Sequence, residues 1–145
     1  MQKNNLKKPL VILLIIALIF CVGYYFFTRT TYKKQLKFTQ QGQTEIHAGK
    51  IVMKVWDHDA EDGDTVQVFF EGKIIADSLA ILNTPVEYKL GELSAGEYLL
   101  GVNAISEGMT SPASAHISLN DGKVEKEFNM DALIDSAASW KIIVK

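Results

Sequence analysis

From Glu45 to the C-terminus, apolar residues recur at every second position between closely spaced turn residues, and no long stretch carries the 3.6-residue repeat of an amphipathic helix. Successive side chains of a strand point to opposite faces, so this pattern predicts half-buried strands and excludes a helical bundle. Ile51, Met53 and Val55 alternate with Lys50, Val52 and Lys54, and Val66, Val68 and Phe70 alternate with Thr65, Gln67 and Glu71. Tyr98, Leu100, Val102 and Ala104 form the clearest face, followed by Ala115, Ile117 and Leu119, and by Trp140, Ile142 and Val144 at the end of the chain. Shorter strands are predicted at Ile74 to Asp77, Val86 to Leu90 and Lys123 to Met130, delimited by the turn signals Glu71-Gly72-Lys73, Asn83-Thr84-Pro85 and Asn120-Asp121-Gly122. Asp131 to Ser139 reads as one helical turn or as a loop.

About seven or eight short strands predict an all-β fold, an antiparallel β-sandwich in which each sheet hides one face from water. A small closed barrel is the structural rival. The chain has 145 residues, room for one ordinary domain, and its single cysteine, Cys21, precedes the strands. The folded part therefore forms no internal disulfide and rests on its core.

The segment Leu93-Ser94-Ala95-Gly96-Glu97-Tyr98-Leu99-Leu100-Gly101-Val102-Asn103-Ala104 resembles the L-x-x-G-x-Y-x-L-x-V-x-A stretch of immunoglobulin-like and fibronectin type III-like domains, with Tyr98 at the tyrosine-corner position. Gly108, Ser111 and Pro112 resemble the residues that follow that strand in fibronectin type III domains. The stretch from Asp57 through Glu61-Asp62-Gly63-Asp64 to Val66 is similar to that of bacterial exported Ig-like domains. The resemblance spans residues 45–145 and implies an Ig-like sandwich with an adhesive or spacer role; it implies no ligand. The Cys pair of antibody domains is absent.

Chemistry, if the sequence holds any, is concentrated in Asp57-His58-Asp59-Ala60-Glu61-Asp62-Gly63-Asp64, which places Asp57, Asp59, Glu61, Asp62 and Asp64 in one loop. Hard oxygen ligands on a flexible loop are what Ca²⁺ requires, so these five carboxylates are the candidate metal ligands. The loop is not an EF-hand: counted from Asp57, the glycine falls one position late and Val68 occupies the place of the bidentate Glu. The plainer reading is that Asp57 and Asp64 cap loop backbone groups and that Glu61-Asp62-Gly63-Asp64 is a turn whose Asp residues bond nearby N–H groups. His47, His58 and His116 have no zinc-type spacing and read as loop, surface or strand positions.

No nucleophile elbow, glycine-rich phosphate loop or opposed carboxylate pair is present, so the chain is expected not to be an enzyme and to use no cofactor other than a Ca²⁺ ion. Phe69, Leu99 and Ile143 break the alternation on the outward side of their strands. On one sheet they would form an apolar partner surface.

Ahead of the strands, Leu10 to Phe27 is a run of 18 residues without a charge, about 27 Å as a helix, just long enough to cross a bilayer. Lys3, Lys7 and Lys8 precede it, Arg29, Lys33 and Lys34 follow it, and Tyr24 and Tyr25 stand near its end. A signal peptide cleaved to release a secreted domain is the alternative, but no A-x-A-like site is present. Lipidation at Cys21 would require a small residue where Phe20 stands.

The organisation is therefore a short basic tail at 1–9, a transmembrane anchor at 10–27, a polar basic stalk at 28–43 and the sandwich domain at 44–145. The first 43 residues carry 7 basic and no acidic side chains, while the remainder carries 8 basic against 17 acidic, a net −9. An acidic domain repels phosphate backbones, which argues against a nucleic-acid partner. A short N-terminal tail stays inside more readily than it translocates, so the expected placement is single-pass in the cytoplasmic membrane with the domain periplasmic or extracellular. Its expected function is a membrane-tethered recognition or spacer module for an unknown protein or envelope component; a calcium-dependent binding or assembly module is the alternative.

Overall fold

The computed structural model describes residues 15–21, 36–57 and 61–145. Residues 15–21 are helical, with Ile15, Ile16, Leu18, Ile19 and Phe20 exposed. Among the described residues no helix is long and apolar enough to cross a membrane. The expected tail at 1–9, the remaining parts of the expected anchor and residues 28–35 of the expected stalk lie outside the described residues. Leu36–Lys145 forms a compact unit of its own.

Among the described residues nine strands build this unit: β1 (Phe38–Ile46), β2 (Gly49–Trp56), β3 (Asp64–Phe70), β4 (Lys73–Ala80), β5 (Val86–Leu93), β6 (Gly96–Glu107), β7 (Ala113–Asn120), β8 (Glu125–Ala132) and β9 (Ala137–Val144). They form a five-stranded sheet in the order β1-β9-β6-β3-β4 and a four-stranded sheet in the order β5-β2-β7-β8. The all-β, two-sheet expectation holds, and the sheets are open rather than closed into one barrel. Every pairing is antiparallel except β1 with β9, which run parallel.

Strand β1 is the ninth strand. It corrects the expected boundary at 44, because Phe38 to Gln43 of the expected stalk belongs to the sandwich. An edge strand exposed over most of its length needs few apolar residues, so Phe-Thr-Gln-Gln-Gly-Gln-Thr-Glu-Ile carries almost no period-two signal. A register shift between Gln40 and Gly42 leaves Phe38 on the outer face of the sheet while Ile46 points into the core. Between β8 and β9 the chain makes neither a helical turn nor a long loop: Leu133 and Ser136 exchange backbone hydrogen bonds and close a tight hairpin.

The core lies between the sheets. Val66, Val68, Leu100, Val102 and Ile142 from the five-stranded sheet meet Ile51, Met53, Val55, Ile117, Leu119 and Met130 from the other, all essentially inaccessible to solvent. Trp140 fills one side of the sandwich, stacked on Phe128 with ring centroids 4.3 Å apart, and Gly42 of β1 lies against its indole where any Cβ would collide. Tyr98 closes the β5–β6 corner by donating its hydroxyl to the Ser94 carbonyl at 3.0 Å.

Strand directions sort the loops to two ends. One end, called here the entry end, carries the β2–β3, β4–β5, β6–β7 and β8–β9 connections and the start of β1, where the Lys37 carbonyl accepts from Ala137 N–H at 3.0 Å. The far end carries the tight turns around His47, Gly72, Ser94 and Asp121 and the last residue, Lys145, whose carbonyl accepts from Ala48 N–H at 2.9 Å.

Candidate functional site

The entry end holds the acidic loop. β2 delivers Asp57 directly after its last residue, and Asp57 N–H donates to the Leu82 carbonyl at 2.8 Å. Asp64 opens β3 on the inward side, only 4% exposed, so the alternation that buries Val66 and Val68 buries this carboxylate too. Its Oδ2 accepts from Ser114 N–H at 3.0 Å across to β7. Asp62 reaches the β6–β7 loop: its Oδ2 accepts from Thr110 N–H at 2.9 Å and its main-chain carbonyl from Met109 N–H at 3.1 Å. Gly108, at φ +55°, makes this approach possible, because a Cβ there would sit 2.7 Å from the Asp62 carbonyl oxygen.

These contacts leave a cleft of about 230 Å³ lined by Asp57, Asp62 and Asp64 on one side and Thr110, Ser111, Pro112 and Ser114 on the other. Asp62 Oδ1 and Asp64 Oδ1 are both buried without a hydrogen-bond partner. Burial raises the Asp64 carboxyl above its ordinary range; the bond from Ser114 N–H acts against this, and the neighbouring charges of Asp62 and Asp57 and the direct approach of the Asp62 side chain add to the rise.

The five expected metal ligands are thus partly separated. Asp57, Asp62 and Asp64 share the cleft, whereas Glu61 turns toward the β4–β5 connection, where its Oε1 accepts from Asn83 N–H at 2.7 Å. Asp59 and His58 lie outside the described residues. Among the described residues no three His, Cys, Asp or Glu side chains converge closely enough to hold a metal ion by themselves. Asp62 and Asp64 accept from backbone N–H groups, but from Thr110 in the β6–β7 connection and Ser114 in β7 rather than from their own loop. Thr110 and Ser114 were not legible as site residues; the nearby Gly108, Ser111 and Pro112 signalled only the fold.

Phe69, Leu99 and Ile143 do share the outer face of the five-stranded sheet, on β3, β6 and β9. Phe38 crosses this face above Gly101 and meets Phe69 edge-on at 5.8 Å, covering it in part. The Lys141–Glu97 ion pair, 3.1 Å, sits beside Leu99 and Ile143, so Leu99 alone of the three is an exposed large apolar side chain.

His116 is buried on the strand β7, packed against Trp56 with ring centroids 4.3 Å apart at a 60° tilt and bonded to Asn129, so it is a strand position and not a surface histidine. His47 is tied to Asp121 at the far end.

No protein-family model matches the chain, and neither a curated protein nor a solved structure does so.

Proposed function

We propose that this chain is a non-enzymatic, membrane-tethered module: an Ig-like sandwich facing the periplasm or the cell exterior that recognises, or spaces, a protein or envelope component. The observation that carries this reading is the uncharged run Leu10 to Phe27, with basic residues on both flanks, placed shortly before a self-contained β-sandwich. The exposed apolar side chains of helical residues 15–21 lie within that run and are suited to lipid.

Support for the Ig-like reading comes from Tyr98. In tyrosine corners the hydroxyl bonds to the backbone a few residues upstream, at the start of a strand that lies between the third and the last strands of its sheet. Tyr98 donates to Ser94, and its strand β6 pairs with β3 on one side and β9 on the other. The β7–β8 hairpin, inserted between β6 and β9 and paired to β2, departs from the simplest Ig order.

Reporter fusions at Lys145 test the placement. An outward-facing domain gives an active alkaline phosphatase fusion and a dark green-fluorescent-protein fusion; the reverse pattern would place the sandwich in the cytosol and end this reading.

A further inference from the structure

We propose that the cleft between the β2–β3 and β6–β7 connections binds one divalent cation of the calcium type, with Asp62 and Asp64 as its charged ligands. Each of these carboxylates uses one oxygen to hold the facing segment, through Thr110 N–H and Ser114 N–H, and leaves the other oxygen buried without a partner. Native structures rarely leave buried polar atoms unsatisfied, and an ion is one of the few occupants that explains such an exception. Two such oxygens of the same sign, beside a third acid at Asp57, concentrate negative charge in a cleft whose described lining residues include no Lys or Arg. Water alone would satisfy their hydrogen bonding but not their charge.

The chemistry of the lining selects the ion. Among the described residues it contains no His or Cys, which favours a hard, oxygen-preferring cation. The polar side chains of the described lining are the carboxylates and the hydroxyls of Thr110, Ser111 and Ser114, and among the described residues no group of three His, Cys, Asp or Glu converges to hold an ion. Neutral oxygens and water must therefore complete the shell, an arrangement that calcium, with 6–8 ligands in flexible geometry, accepts more readily than magnesium. A cleft of about 230 Å³ has room for an ion and several waters. Two charged ligands place the dissociation constant in the range of extracellular modules, about 10⁻⁴–10⁻³ M. The rival is a cleft that holds water and no ion.

The test is a calcium titration of the full-length protein in detergent at pH 7.5, followed by thermal unfolding and by terbium luminescence excited through Trp56, the residue before Asp57. At 5 mM Ca²⁺ the melting temperature is expected to rise by about 5 °C or more over a sodium chloride control of equal ionic strength. Terbium emission is expected to appear and to be displaced by Ca²⁺. Asp62→Asn, which can still accept from Thr110 N–H, is expected to fold and to lose both responses. A melting temperature unmoved by Ca²⁺ with no terbium emission would mean that the cleft holds no ion, and would overturn the proposal. An undiminished response in Asp62→Asn would overturn it as well.

Discussion

Asp121 and His47, 74 residues apart, are joined at the far end of the sandwich by two hydrogen bonds to one carboxylate oxygen: His47 N–H at 2.8 Å and His47 Nδ1 at 2.9 Å both donate to Asp121 Oδ2. Because an ionised carboxylate only accepts, Nδ1 carries the proton. The other oxygen accepts from Lys123 N–H at 2.8 Å and Val124 N–H at 2.9 Å, and the side chain is shielded from solvent. One residue thus closes its own turn and fastens the β1–β2 connection to it. Asp121→Asn, whose amide group cannot replace four accepted bonds, is expected to lower unfolding free energy by about 3 kcal/mol, measured by urea denaturation.

The same residue sets an acid limit. Burial alone would raise the Asp121 carboxyl, but the hydrogen bonds from His47, Val124 and Lys123 outweigh it and hold the group far below its ordinary 3.8. With the folded value depressed, the contribution is fully present above the ordinary range and is lost as pH falls below it toward the folded value. Stability of the wild type is therefore expected to fall steeply below about pH 4, and Asp121→Asn to show a shallower acid limb. Equal limbs in the two proteins would remove Asp121 from this role.

Two glycines make way for aromatic rings, and their replacement separates a rigid neighbour from a yielding one. At Gly42 a Cβ would strike the Trp140 indole, which Phe128 holds from the side by stacking. At Gly101 it would meet Phe38 Cε1 at 2.6 Å, the edge of a ring 39% exposed and free to swing outward. Gly42→Ala is expected to cost about 2–3 kcal/mol and Gly101→Ala about 1 kcal/mol. A larger loss at Gly101 would show that Phe38 is held more firmly than its exposure indicates.

Tyr98→Phe deletes only the hydroxyl that donates to Ser94. A stability loss of about 1 kcal/mol is expected, with Phe70, stacked on the ring at 5.8 Å, keeping the packing intact. An unchanged melting temperature would remove the corner from the set of stabilising contacts.

The alternation in β2, β3, β6, β7 and β9 was legible because each of these strands turns one apolar face to the core. β1 was not, because it is an edge strand held by backbone pairing to β9 rather than by an apolar stripe. Phe69 looked outward and unpaired for the same reason: its cover, Phe38, stands in a segment that reads as a polar tether. Within the acidic loop, local spacing gathered the carboxylates but could not show that Glu61 turns away or that Thr110 and Ser114 face Asp62 and Asp64, since those contacts depend on how β6 and β7 return. Asp121-Gly122 was readable as a turn; its hold on His47 was not. A chain starting at residue 44 is accordingly expected to be less stable than one starting at 36 by about 3 kcal/mol, since it loses the Phe38–Phe69 contact and much of the β1–β9 ladder.

Protease accessibility of the sandwich in intact spheroplasts, with the mass of the mature N-terminus read from the same sample, tests most directly that the chain is a tethered, outward-facing module. Digestion from outside with residues 10–27 retained is the expected result. Protection that is lost only on lysis would place the sandwich in the cytosol, and a mass lacking the hydrophobic run would show a released domain; either would contradict the tethered, outward-facing arrangement.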